Sequence, residues 1–297
     1  MSSAPWLTIQ GTASGLASGA VSLIAAPNPG ADSRSATITV ADATTTLTQD
    51  GSSAQRPAIA RFGVVNGASF AGATASGTWI TIVGTNLSST TRIWGDADFS
   101  GANLPRSLDG VSVTINGRPA YIFFISPGQL NVLAPDDAFL GAVEIIVTTA
   151  AGSSDPAVAP KLATDPALFE FDPEGRRYAA AVHADGTFLG KPGLFAGLTT
   201  RPAKAGDVVL LFGTGFGATN PPTPTGLLVS QPAPLAIPVV VRIGGIDAEV
   251  LFAGITGSGL FQFNVVVPTG LAEGDHLVEI FIDSVPTQAD VSITVEQ

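Results

Sequence analysis

Gly77-Thr78-Trp79-Ile80-Thr81-Ile82-Val83-Gly84-Thr85-Asn86-Leu87 and Gly206-Asp207-Val208-Val209-Leu210-Leu211-Phe212-Gly213-Thr214-Gly215-Phe216 share one design, an apolar run closing in a Gly-Thr-x-apolar turn. Two further blocks come after each of them in the same order. Val113-Thr114-Ile115-Asn116-Gly117 matches Val241-Arg242-Ile243-Gly244-Gly245. Gln129-Leu130-Asn131-Val132-Leu133-Ala134-Pro135 matches Gln262-Phe263-Asn264-Val265-Val266-Val267-Pro268, and Gly141 or Gly274 then leads into another alternating run. Blocks in preserved order mark an internal duplication. Within them apolar and polar residues alternate with period 2, the pattern of strands with one buried face. Asp109-Gly110, Asn116-Gly117, Asp185-Gly186 and Gly244-Gly245 accept positive φ easily and predict hairpin turns. No stretch of helical length keeps an i, i+3, i+4 apolar pattern free of Gly or Pro.

The fold class is therefore all-β: tandem immunoglobulin-like β-sandwiches over 53–160 and 161–297, preceded by a partial β module at 1–52. Residues 219–238 are Pro-rich and predict a surface loop of the second sandwich, because proline cannot donate to a strand ladder. Residues 51–57 have linker composition.

Composition narrows the function. Among 297 residues, 34 Gly and 22 Pro accompany 45% hydrophobic residues, as expected of many short strands broken by turns. Only 12% are charged, yet the net charge is −11, so phosphate backbones and anionic lipid are repelled and no nucleic-acid partner is expected. With no Cys there is no disulfide framework, thiolate nucleophile or Cys-based metal site. No apolar run approaches the roughly 20 residues of a membrane helix, and no membrane insertion is expected. The N-terminus carries no basic-then-apolar leader and opens as if within a domain, which predicts a fragment of a longer protein.

Several blocks are similar to the Solibacter-type C-terminal domain: Val64-Val65-Asn66-Gly67-Ala68-Ser69-Phe70, Leu104-Pro105 through Val113, Ile125-Ser126-Pro127-Gly128-Gln129-Leu130-Asn131, Ala181-Val182-His183-Ala184-Asp185-Gly186-Thr187 and Gly213-Thr214-Gly215-Phe216-Gly217. This resemblance covers about 57–297 and implies an Ig-like module of secreted or surface-attached proteins, without assigned catalytic residues. Trp6-Leu7-Thr8-Ile9, Gly15-x-x-x-Gly19, Asn28, Arg34 to Val40 and Leu47-Thr48-Gln49 resemble the second half of a BACON domain, with the strands expected before the Trp missing. That resemblance implies carbohydrate or mucin binding, or a spacer role.

Candidate chemistry is sparse. His183 and His276 are the only imidazoles, the first in an alternating strand and the second just after the turn at Gly274-Asp275, and no Gly-x-Ser-x-Gly elbow accompanies them. The acids cluster in turns such as Asp136-Asp137, Asp172-Pro173-Glu174 and Glu273-Gly274-Asp275, where solvation explains them more simply than a glycosidase pair. Trp94-Gly95-Asp96-Ala97-Asp98-Phe99 is the most site-like stretch. Trp94 offers an apolar face for a sugar ring, and Asp96 and Asp98 offer oxygens to calcium, though a full calcium loop is absent. Calcium is the one cofactor these residues suggest. Trp6 and Trp79 predict core anchors. The Gln129-x-Asn131 and Gln262-x-Asn264 pairs recur in both copies, which favours a shared structural role.

The expected function is a non-catalytic, extracellular or cell-surface interaction module of a larger protein. It would act as spacer, adhesin or glycan-binding appendage, with extracellular polysaccharide or another surface protein as partner. Two alternatives remain open: an extracellular polymer hydrolase using paired carboxylates, and a subunit assembling through β-strand edges.

Overall fold

A computed structural model describes residues 2–10, 21–28, 32–40, 43–51, 56–172 and 175–297. The Gly15/Gly19 spacing, the centre of the 51–57 linker and Pro173-Glu174 lie outside the described residues. The chain is all-β, with tandem Ig-like sandwiches as its main body.

In the first sandwich, one sheet runs in the order Ala58–Asn66, Trp79–Thr85, Gln129–Leu133, Tyr121–Ile125, Arg92–Ile93. The facing sheet is built on Val111–Ile115 and Gly141–Thr149, with Ala157–Lys161 at its edge. Ile80, Ile82, Leu130 and Val132 from one sheet meet Val113, Ile115, Ile145 and Val147 from the other in a closed core. In the second sandwich, Val208–Thr214, Leu260–Val266 and Val250–Gly257 form the centre of one sheet, and Val239–Ile243 with Gly274–Ile282 the centre of the other. Leu211, Phe263, Val241 and Ile280 fill the space between them.

The duplication extends to register. Trp79 pairs with Leu133 and Val83 with Gln129 in the first copy, as Val208 pairs with Val266 and Phe212 with Gln262 in the second. In the opposite sheets, Ile115 faces Ile145 as Ile243 faces Val278. The Gly-Thr-x-apolar turn behaves alike in both: Asn86 (φ 54°) and Gly215 (φ 83°) take the left-handed conformation, and Leu87 and Phe216 are fully buried. A single αL residue turns the chain so that the next side chain drops into the core. Gly84 and Gly213 precede these turns, where a Cβ would strike the backbone carbonyl of Ala58 or Ala167 in the adjacent strand.

Asn116-Gly117 (φ 51°, 71°) and Gly244-Gly245 (φ 59°, 79°) have both residues at positive φ, the two-residue hairpin turn their sequence predicts. Asp185-Gly186 closes differently, with only Gly186 at positive φ and His183 N–H bonded to Thr187 O at 2.8 Å. Gly274 and Asp275 lie inside a strand, so His276 is a strand residue and not the one after a turn.

The N-terminal module is slight. Leu7–Gln10 pairs with Ser22–Ala25, and Arg34–Val40 with Ala43–Gln49, around Leu7, Ala36 and Ile38. Trp6 packs at the margin of this small core with the Arg34 guanidinium 4.3 Å from its ring centroid.

The Pro-rich segment is more than a surface loop. It crosses to the first sandwich, where Leu104 N–H donates to Gly226 O at 2.9 Å and Leu228 N–H to Ala102 O at 2.8 Å. Thr225 Oγ1 donates to Asp136 Oδ1 at 2.6 Å. Gly226 sits at φ 90° against the Tyr121 ring, with no room for a Cβ. Ala233–Pro234 pairs with Gly254 and Ile255 at the edge of the second sandwich, a strand position that proline tolerates, while the N–H and C=O groups near Gly226 find partners in the first sandwich.

Candidate functional site

Strand parity explains how a site arises where the sandwiches meet. In Trp79–Thr85, Ile80 and Ile82 point into the core, so Trp79 and Thr81 point out the other side of the sheet. Trp79, expected as a core anchor, is therefore a half-buried junction residue. Its backbone N–H donates to Thr214 Oγ1 and its indole Nε1–H to Ser258 O, both at 3.0 Å and both in the second sandwich. Gly259, at φ 68°, permits this approach, because a Cβ there would meet Leu133 and the Trp79 indole. Asn66, wholly buried, adds a bond from Nδ2 to Asp165 Oδ2 at 2.9 Å, fixing the segment that connects the sandwiches. Burial pushes the Asp165 carboxyl above its usual range, opposed by the Asn66 amide.

Trp94 follows the short Arg92–Ile93 strand, held by a bond from its N–H to Phe123 O at 2.9 Å. It joins an aromatic cluster of edge-to-face contacts: 5.9 Å to Trp79, 5.0 Å to Phe123 and 5.2 Å to Phe99 between ring centroids. Beside the cluster lies a groove of about 340 Å³ walled by Trp79, Trp94, Phe123 and Asn131 from the first sandwich, and by Phe169, Leu228, Ser258 and Leu260 from the second. Leu228 belongs to the crossing loop and is 48% exposed at the rim. The groove is thus a joint product of both copies and of the loop that ties them.

The structure separates the other sequence candidates from this groove. Asp96 and Asp98 form a three-residue 3₁₀ turn. Asp98 gives both oxygens to Arg92, at 2.7 and 2.9 Å, and accepts from Gly95 N–H at 2.8 Å. Arg92 and that amide hold the Asp98 carboxyl down at about 2. Arg92 also bonds Asp109 at 2.8 Å. This geometry assigns Asp98 to an ion pair that braces the Trp94 loop, and Asp96 stands exposed outside it. Among the described residues, no group of three or more His, Asp or Glu is placed to hold a metal ion.

His183 is 2% exposed, with Nε2 3.1 Å from Arg201 O, and His276 Nε2 is 2.7 Å from Ala272 O. Each is satisfied by backbone. Asp136 and Asp137 do not face one another across a cleft: the first receives Thr225, and the second receives the Asn116 amide and Phe139 N–H. Asp275 is surrounded by Lys191, Tyr178 and Thr294 at 2.7, 2.9 and 2.7 Å. The Gln-x-Asn pairs are the same in both copies, Gln Nε2 to Asn Oδ1 at 2.7 Å. A larger hollow, about 780 Å³, lies between Ala58–Asn66 and Ala157–Lys161, the edge strands of the first sandwich. A register irregularity between Ile59 and Val64 and the ring of Pro160 blunt these edges against added strands.

Family comparison agrees with the two-part reading. The BACON family model ("Putative binding domain, N-terminal") matches residues 1–50, and the IPT/TIG domain model matches 64–158. The chain is thus similar to a BACON module followed by an Ig-like repeat. No curated protein sequence matches the chain. Among solved structures, the plexin A4 extracellular region is 13% identical with a TM-score of 0.28, over 84% of this chain and 19% of that one. The Bacteroides ovatus mixed-linkage glucan utilization locus SGBP-B, in complex with a mixed-linkage heptasaccharide, is 12% identical with a TM-score of 0.35, over 98% of this chain and 61% of that one. The titin I9–I11 tandem is 10% identical with a TM-score of 0.24, over 98% of this chain and 82% of that one. The chain spans less than two thirds of the first two of these structures, and likeness at this level says nothing about the ligand. Among the described residues, no helix is long and apolar enough to cross a membrane.

Proposed function

We propose that this chain is a non-catalytic interaction module of a secreted or cell-surface protein, and that it binds carbohydrate in the aromatic groove between its two sandwiches. The observation that carries the reading is the groove itself. Two indoles and two phenyl rings from separate segments of both sandwiches converge on one pocket, together with a single side-chain amide. Its volume falls at the lower end of small-ligand sites, roughly 300–1,000 Å³. That suits a sugar ring or two. Aromatic walls match the C–H faces of sugars, and Asn131 supplies a directional polar contact. Among the described residues, no carboxylate or imidazole lines the groove, so it lacks the acid–base pair that glycoside hydrolysis requires.

The test is a glycan and polysaccharide array probed with the full chain and with Trp94→Ala, followed by calorimetry on any hit. Retained folding with lost binding in the variant is the expected outcome. Binding that survives in Trp94→Ala would move the site elsewhere, and a silent array for both proteins would end the carbohydrate reading.

A further inference from the structure

Resting on that reading, we infer that the groove selects an uncharged sugar and takes one ring at a time, excluding uronic-acid and sulfated glycans. Among the described residues, no Asp, Glu, Lys, Arg or His contributes to its wall. A carboxylate or sulfate entering it would shed water against aromatic and aliphatic surface without a counter-charge, the costly case for a buried ion. The nearest cation along the chain is Arg92, two residues before Trp94, and its guanidinium is already engaged by both oxygens of Asp98 and by Asp109. The net charge of −11 adds long-range repulsion of polyanions at low salt.

The hydrogen-bonding groups at the groove are neutral and mostly donors. Asn131 Oδ1 is taken by Gln129 Nε2, which leaves its amide N–H groups for a ligand oxygen. Trp94 keeps its indole N–H free of protein partners among the described residues. The planes of Trp79, Trp94 and Phe123 meet at 63–78°, giving a corner rather than a flat strip. A corner of about 340 Å³ seats a ring at a chain end or an exposed branch, whereas a polymer lying lengthwise needs a coplanar track.

The experiment is calorimetric titration of the full chain with neutral oligosaccharides (cello-, xylo- and manno-oligosaccharides) and with oligogalacturonate and a sulfated galactan oligosaccharide. Leu228→Arg is measured alongside the wild type. Leu228 is half-exposed at the rim, so its replacement leaves both cores intact, which circular dichroism verifies. At least one neutral ligand should bind tenfold or more tightly than either acidic one, and Leu228→Arg should raise oligogalacturonate affinity by a similar factor by supplying the missing cation. Equal or tighter binding of the acidic ligands by the wild type would overturn the selectivity and leave the saccharide site standing. If no oligosaccharide binds, neutral or acidic, both inferences fall. Neutral affinity that rises steadily with chain length beyond two residues would overturn the single-ring seat alone.

Discussion

The two sandwiches share strand order, register, αL turn and Gln-x-Asn pair, yet they differ where they touch. The position that holds Trp79 in the first copy holds Val208 in the second, and the segment between the αL turn and the next repeated strand, 88–110 in the first copy, is Pro-rich in the second and crosses to the neighbouring sandwich. Most of what recurs serves the fold of each copy, with Asn131 and Thr214 also reaching the groove and the junction. What does not recur serves the junction. The duplication therefore acts as an internal control that sorts structural from functional residues.

The largest expected effect tests the shared half of the comparison. Phe216→Ala should cost about 3–5 kcal/mol and Leu87→Ala about 2–5 kcal/mol, as truncations of fully buried side chains. Chemical denaturation reads both. Unchanged stability in either variant would show that the repeated turn is not what anchors its core.

Gly226→Ala comes next and probes the unshared half. A Cβ placed against the Tyr121 ring at φ 90° should cost roughly 1–3 kcal/mol and release the crossing loop. Small-angle scattering should then report a larger radius of gyration with unchanged strand content by circular dichroism. A variant as compact as the wild type would mean that Trp79 and Asn66 hold the junction without the loop.

The smallest effects concern the Trp94 loop. Arg92 depresses the Asp98 carboxyl to about 2. Its contribution is therefore fully present above the unfolded value of about 4 and lost as pH falls toward 2. Asp98→Asn should lower neutral-pH stability only slightly, as expected of a solvent-screened pair, and leave stability at pH 2 nearly unchanged, so that the acid limb flattens slightly. Adding or chelating calcium should shift neither melting nor ligand binding. A calcium-dependent rise in melting temperature would restore Asp96 and Asp98 as cation ligands.

How much of the molecule is legible in its sequence divides along the same line. Residues that repeat, such as Gly84 and Gly213 or Leu87 and Phe216, expose their role because one copy checks the other. Alternation carries a further signal: Ile80 and Ile82 pointing inward oblige Trp79 to point outward, against its reading as a core anchor. The groove is not legible, because Phe169, Leu228 and Leu260 reach Trp94 only through the relative placement of two domains, which no local pattern encodes. The prolines of the crossing loop mark it as irregular, against the short edge strand at Ala233–Pro234, and its partners Ala102, Leu104 and Asp136 lie far away in sequence. Trp94 stands out because a large indole in an acidic, Gly-containing loop has no obvious place in a sandwich core.

The three tryptophans are divided among three structural settings: Trp6 in the N-terminal module, Trp79 at the junction and Trp94 at the groove. Trp79 and Trp94 lie 5.9 Å apart at an interplanar angle of 63°, close enough for their excited states to couple. The protein thereby carries its own chiroptical gauge: a paired signal in circular dichroism that should vanish when either indole turns away.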